Sequence, residues 1–479
     1  MKIVKSHLII LIVNLLISQL TNAEIRLPEI VASNMVLQRN ITVNVWGWAG
    51  ANEKISLKLS WQEEPINVRA DKYGNWKTEI LTTKSKDPQT ITLTSETSNI
   101  LLENILFGEV WLCSGQSNMY QPLKGYVGQP TYGSLQAIIN SKNSNLRLFS
   151  VSKAGASTPQ KSLKESSGWL MASPENVSNF SAVAYFYGKQ LQQILDVPVG
   201  LIHSSFGGSS VKAWLSKQGI SPYEKVNIEN KNISSKARYT PTALFNAMIN
   251  PLIPYTLKGV LWYQGESNRT APEAYKKLFP AMVKDWRAIW GQDDFPFYYV
   301  QIAPHSYAKD KKMVNTAYLR EAQLKSLDLI NNSGMVITMD LGDKDSVHPP
   351  KKKEVADRLL YLALNKTYKI NGINPVSPQY DSMTLKDNRV ILKFKNAKQG
   401  LYTYNGLDNF IICGENRVFY PAEAKILNKN EVEVYNENVK KPVAVRYAWN
   451  SWSEASLFGA NELPVSSFRT DSWNDFKKE

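Results

Sequence analysis

Between residues 105 and 369, five apolar runs (106–113, 199–206, 259–264, 297–303 and 335–341) are separated by longer stretches of helical period. Short runs of this kind, with no polar residue on every second position, are strands buried on both faces. When helices alternate with them, the economical arrangement is a parallel sheet with helices packed on each side. The intervening stretches bear this out at the level of pattern. In 272–290, Tyr275, Leu278, Phe279, Met282, Trp286 and Ile289 recur every three or four residues, opposite Lys276, Lys277 and Lys284; that is one apolar stripe on a helix. Segments 181–195 and 350–364 repeat the pattern, the second opening with Pro350, a residue suited to a first helical turn.

The flanks differ. From 24 to 104, short alternating runs (41–48, 55–60, 90–94) lie between turn residues such as Asp71-Lys72-Tyr73-Gly74-Asn75, the pattern of a small β-sandwich. After Asn374-Pro375, β character returns at 390–394, 432–435 and 443–449. Residues 1–23 have a basic start (Lys2, Lys5), an apolar stretch and a small-residue end, as a secretory leader does. The expected organisation is therefore a leader (1–23), an N-terminal β-sandwich (24–104), a three-layer αβα domain (105–374) and a C-terminal β domain (375–479). Its expected location is secreted or periplasmic. No other stretch is long and apolar enough for a spanning helix, so the mature chain is expected to carry no integral membrane segment.

The formal charge of +14 includes Lys2 and Lys5 of the leader, and the remaining lysines are scattered, with short clusters at 309–312 and 351–353. No face interleaves basic and aromatic residues, so the charge reads as a solvated surface and no nucleic-acid partner is expected. A basic field is also compatible with acidic sugars. Two cysteines, Cys113 and Cys413, suit neither a disulfide framework nor a metal site, and a bridge between them is the minority reading.

In an open parallel sheet, functional loops collect at the carboxyl ends of the strands. Ser117 follows the first apolar run, Gly207-Gly208 the second and Gln264 to Asn268 the third, while Asp345-Ser346-Val347-His348 lies beyond the fifth. Acyl transfer needs a hydroxyl, a base, a group to orient the base, and donors aimed at the developing oxyanion. Ser117 can be the nucleophile and His348, one of four histidines, the base. Asp345, three residues before His348, is the first choice of orienting acid; Asp340, Asp343 and a backbone carbonyl are the alternatives. The backbone N–H groups of Ser117 and Gly208, with the side-chain amide of Gln264 or Asn268, are the oxyanion candidates. Gln116, Glu266 and Trp214 are assigned to substrate contact; Trp262 and Tyr126 can stack on a sugar ring but serve equally well as core. His203 and His305 read as structural histidines, and the sequon at Asn268-Arg269-Thr270 as accidental. No metal or organic cofactor is required.

The segments Gly108 to Met119, Trp262 to Asn268 and Asp340 to Pro349 resemble the sialate O-acetylesterase family of the SGNH-hydrolase superfamily. The likeness extends to Asn34-Met35-Val36-Leu37-Gln38-Arg39 near one end and Phe468-Arg469-Thr470-Asp471 near the other. It implies a secreted or periplasmic serine esterase acting on acetylated sugars, sialic acids first, through an acetyl-enzyme. The alternatives are an acetylxylan or other hemicellulose esterase and, less favoured, a non-catalytic carbohydrate-binding protein.

Overall fold

The computed structural model describes residues 24–224, 233, 236–307, 315–473 and 476. The leader and the lysine cluster at 309–312 lie outside them.

In the N-terminal part, strands β1 (Val36–Gln38), β2 (Thr42–Trp48), β3 (Lys54–Leu59), β4 (Ile66–Arg69), β5 (Asn75–Leu81) and β6 (Gln89–Thr94) lead into β7 (Asn99–Gly115). Strand β7 has 17 residues and belongs to two systems. Its first half pairs antiparallel with β6 and its second half is a central strand of the parallel sheet. A boundary between 104 and 105 thus falls inside one continuous strand, and the N-terminal β region and the α/β region share a backbone ladder.

The parallel sheet adds β8 (Asn143–Val151), β9 (Ser166–Ala172), β10 (Val199–Ser205), β11 (Gly259–Tyr263), β12 (Phe297–Val300) and β13 (Ser333–Val336), in the order β13-β12-β11-β7-β10-β8-β9. All neighbours are parallel except the edge pair β8–β9. The five expected strands form the sheet; β8 and β9 are additions, both carrying polar residues that broke the apolar pattern. Side chains alternate between two cores. Trp111, Cys113, Leu201, Leu261 and Tyr263 pack under helices Ala182–Leu195 and Lys352–Leu362. Val110, Leu112, Ile202, Val260 and Trp262 pack under helices Pro272–Trp290 and Asn315–Lys325. The fold is α/β, with helices on both faces.

Local chemistry sets the helix limits. Pro272 opens the helix Pro272–Trp290 and Gly291, at φ 66°, closes it. Ser181 caps Ala182–Leu195 by accepting from the Ala184 N–H at 3.2 Å. The helix expected from Pro350 instead begins at Lys352, because the Pro350 carbonyl is already taken by the N–H groups of Tyr132 and Lys352.

Beyond residue 374, strands Gln379–Lys386, Arg389–Lys395, Glu431–Tyr435 and Glu423–Asn428 form one antiparallel sheet, and Phe419–Pro421, Phe410–Cys413, Ala444–Tyr447 and Phe468–Arg469 another. This region returns to the α/β layer through buried polar contacts. Arg320, fully buried, donates to Ser467 Oγ (2.9 Å) and the Asn450 carbonyl (2.5 Å), and Gln301 donates to Ser466 Oγ (2.8 Å). Cys113 and Cys413 are both buried and unbonded to each other.

Candidate active site

Strand register brings the loops together. Gly115, the last residue of β7, lies opposite Ser205 of β10 and Tyr263 of β11, so the chain leaves all three strands at one level. Gly115 has φ 134°, and a Cβ there would sit 2.2 Å from the Tyr263 carbonyl oxygen; only glycine can make this turn. The turn delivers Ser117, half-buried, as the first residue of the short helix Ser117–Tyr120, whose opening N–H groups have no carbonyl of their own turn to bond.

Gly207 lies over Ser117: a Cβ on it would be 3.6 Å from Ser117 Cβ. Gly208 follows in the left-handed region, φ 70°. Among the described residues, the N–H groups of Gly207 and Gly208 make no backbone hydrogen bond. Gly207 thus lies against the serine with its N–H uncommitted to the backbone, and Gly208 follows it directly.

Of the two side-chain amides expected beside them, Gln264 is fully committed elsewhere and Asn268 in part. Gln264 Nε2 donates to the Ser209 carbonyl (2.9 Å) and to Asn268 Oδ1 (2.8 Å), which uses both of its N–H bonds. Asn268 Oδ1 also accepts from the Val211 N–H (3.0 Å), and Asn268 Nδ2 donates to Ser210 Oγ (3.3 Å), leaving one amide N–H uncommitted. Together they brace the loop that carries the glycine pair. Asn268 is 6% exposed, so the folded site leaves no room for a glycan on its sequon.

His348 is held by a residue the sequence reading passed over. Its Nδ1 lies 2.7 Å from Gln129 Oε1, so Nδ1 is the protonated nitrogen and Nε2, buried and without a hydrogen-bond partner in this structure, carries the lone pair. Gln129 sits in a tight turn, with reciprocal backbone bonds to Tyr126 of 2.9 and 3.0 Å. The Tyr126 ring stands edge-on to the imidazole at 5.3 Å, and its hydroxyl donates to the Ser117 carbonyl at 3.4 Å.

Asp345, expected to orient His348, is exposed and makes no hydrogen bond to it. Asp343 Oδ1 is engaged by the N–H groups of Asp345 and Ser346, and Asp340 by Arg358. Sequence spacing places all three acids close along the chain, but the loop turns their carboxylates away from Nδ1. Gln129 is 219 residues distant in sequence, and no local pattern marks it.

A second group absent from the sequence reading ties the site together. Asn118, 1% exposed, donates through Nδ2 to Glu266 Oε1 (2.6 Å) and to the Val347 carbonyl (3.0 Å), while its Oδ1 accepts from Lys352 Nζ (2.5 Å). The serine turn, the Gly265–Asn268 loop, the histidine loop and a helix thus meet on one side chain. Lys352, within a cluster read as solvated charge, is 0% exposed. Burial brings its ammonium down to about 7, while the Glu266 charge pulls in the opposite direction. Burial raises the Glu266 carboxyl despite bonds from its own backbone and Asn118, and Oε2 has no partner. Burial, then the Lys352 and His305 charges, lower His348 to about 4.

The remaining assignments resolve as follows. Gln116, 2% exposed, accepts from the Gly265 N–H at 3.1 Å and anchors the serine turn instead of facing substrate. Trp214 is fully buried, donates to Ser209 Oγ at 2.9 Å and meets Trp262 edge-on at 5.8 Å; both rings are core. His203 is packed between Tyr120 and Phe180, and burial, helped by Lys153, lowers it to about 3. His305 Nδ1 meets the Asp343 carbonyl at 3.1 Å. Among the described residues no cluster of acids, histidines or cysteines is suited to a metal, and no helix is long and apolar enough to cross a membrane.

A parallel α/β sheet with a serine turn, a glycine pair and a histidine loop at one edge has the architecture of an ester hydrolase. Comparison with known proteins gives the family. The model for carbohydrate esterases described as sialic acid-specific acetylesterase matches residues 108–359. The sialate O-acetylesterase of Homo sapiens is 29% identical, over 89% of this chain and 88% of that protein, and that of Mus musculus is 26% identical over 93% of each. A crystal structure described as a novel carbohydrate acetylesterase from Xanthomonas citri is 32% identical, with a TM-score of 0.86, covering 94% of this chain and all of the other. The chain belongs to this family of carbohydrate esterases, and it is a carboxylic ester hydrolase.

Proposed function

We propose that this protein is an exported serine esterase that removes O-acetyl groups from sialic acids, with Ser117 as nucleophile and His348 as base. The observation that carries the reading is the junction at Asn118, where the residue after the serine is bonded to the Val347 carbonyl beside the histidine. The sialic acid substrate is supported by the family description and by the mammalian relatives; export is supported by the leader pattern at 1–23.

In the proposed sequence, His348 Nε2 takes the proton from Ser117 Oγ as the oxygen bonds to the acetyl carbonyl carbon. The oxyanion is met by the N–H groups of Ser117 and Gly208. Collapse breaks the carbon–oxygen bond to the sugar, whose oxygen receives the proton from His348. Water then attacks the acetyl-enzyme, giving one proton to His348; acetate departs and the proton returns to Ser117. Gln129 acts as the positioning residue, since its carbonyl oxygen keeps the proton on Nδ1 and the lone pair on Nε2.

A second reading is a neutral acetylated glycan such as acetylated xylan, since the Xanthomonas citri relative is described as a carbohydrate acetylesterase with no sugar named. Acetate release from 9-O-acetylated sialic acid and from acetylated xylan, with Ser117→Ala as control, separates the two. Release from the sialic acid that disappears in the variant is expected. Release from xylan alone would overturn the substrate, and activity surviving in Ser117→Ala would overturn the nucleophile.

A further inference from the structure

Two cations lie against elements that flank the serine, without an ion-pair partner among the described residues. Arg238, in the turn Ala237–Tyr239, brings Nη1 within 3.4 Å of the place a Cβ would occupy on Gly208, the residue after the one that covers Ser117. Lys153, on the loop leaving β8, holds Nζ 3.6 Å from the ring centroid of Tyr120, the last residue of the serine helix. Both are exposed. The loops touch, because a Cβ on Gly155 would stand 2.4 Å from Ala237 Cβ. They are also pinned, by Ser210 N–H to the Arg238 carbonyl (2.9 Å) and Ala156 N–H to the Ala243 carbonyl (3.0 Å).

An exposed lysine or arginine ordinarily extends into water and says nothing about ligands. This pair differs in position: each cation is packed on an element that forms the serine site. Nearby Lys212 shows the alternative, since it is paired with Glu224 at 3.4 Å. The Arg238 guanidinium instead rests on the Tyr239 ring at 4.9 Å, with that ring 49% exposed. A forked donor beside a half-exposed aromatic ring suits a sugar bearing a carboxylate: the exposed part of the ring can border the pyranose while the fork takes the anion.

We propose that Arg238, assisted by Lys153 on the adjoining loop, forms a carboxylate-binding subsite that selects acidic O-acetylated sugars for the Ser117 centre. This rests on the sugar O-acetylesterase reading above and adds the residues that would give it preference for an acid over a neutral glycan. A guanidinium–carboxylate contact at a wet rim is screened by salt, so the preference should shrink as ionic strength rises.

The test compares kcat/KM for an O-acetylated sialic acid, for its carboxyl methyl ester, and for 4-nitrophenyl acetate, with each sugar rate divided by the same protein's rate on 4-nitrophenyl acetate. In the wild type the free acid should exceed the methyl ester by about tenfold, the scale of one charge-assisted hydrogen bond. Arg238→Gln should bring that ratio close to one. Arg238→Lys should retain part of it and Lys153→Gln should lower it less, while the ratio should fall with added salt in the wild type and not in Arg238→Gln. Equal rates on acid and ester in the wild type, or a preference that survives Arg238→Gln, would overturn the subsite while leaving the esterase reading in place. Deacetylation of xylan with neither sialic acid substrate cleaved would overturn the substrate reading and the subsite together.

Discussion

At His348 the imidazole is oriented by the amide oxygen of Gln129 at 2.7 Å, and an amide has no charge with which to stabilise an imidazolium. Burial first, then the Lys352 ammonium, already hold the ring down to about 4, so the imidazole stays neutral well below the usual histidine range. The acidic limb of kcat/KM should therefore fall near pH 4, not near pH 6.5, in a pH–rate profile on 4-nitrophenyl acetate. Gln129→Glu should move that limb upward, because a carboxylate favours the protonated ring. Gln129→Ala should lower kcat by about a hundredfold through loss of the tautomer, whereas Asp345→Ala, at an exposed position, should change kcat by less than about threefold. A large loss in Asp345→Ala with little in Gln129→Ala would reverse the assignment. The same shifts bear on stability. With the folded-state values of His348 and His203 lowered to about 4 and 3, the unfolded chain binds protons more readily between those values and about 6.5. Both histidines thus make the fold less stable as pH falls through that window, which a denaturant midpoint at pH 5 against pH 7 will show. Ser117 and His348 could be picked out along the chain because their motifs are local. Gln129 could not, because its role exists only through a contact 219 residues away.

Among the elements, the Asn118 junction joins four pieces whose relative placement the chemistry needs. Lys352→Met removes the donor to Asn118 Oδ1 and the cation facing Glu266, and breaking such a buried arrangement typically costs about 3 kcal/mol or more. Urea unfolding should show a loss of that order, and the double variant Lys352→Met/Glu266→Gln should be less destabilised than the sum of the single changes. Additive effects would mean the two groups are independent. The helix Pro272–Trp290 could be read to the residue, since its stripe, its opening proline and its closing glycine all act locally. Strands β8 and β9 could not, because an edge pair with polar positions lacks the continuous apolar run of a central strand. Lys352 was misread for a related reason: a lysine among lysines looks solvated until the fold buries it against an acid.

In the whole molecule, one apolar core runs from Val43 and Leu57 through Val260 and Trp262 to Val390, Val432 and Phe468, linking all three regions. The strand shared by the N-terminal and α/β parts, and the buried Arg320 that bonds Ser467 and Asn450, join them further. Thermal unfolding of the full chain should therefore be a single transition by calorimetry. A chain ended at residue 374 would strip Arg320 of its side-chain partners and Gln301 of its bond to Ser466, and should be recovered largely insoluble. Independent transitions, or a soluble and active 24–374 fragment, would show that the regions are separable. The sequence by itself determined the class of fold, the five principal strands along the chain and the serine, glycine and histidine loops, because period, turn chemistry and the strand-end rule depend on neighbouring residues. Only the tertiary structure decided which group holds His348, which amides remain free, the order of the strands in the sheet, and that a lysine and a glutamate lie buried around Asn118, because hydrogen bonding and desolvation depend on which distant segments the fold brings within 3 Å.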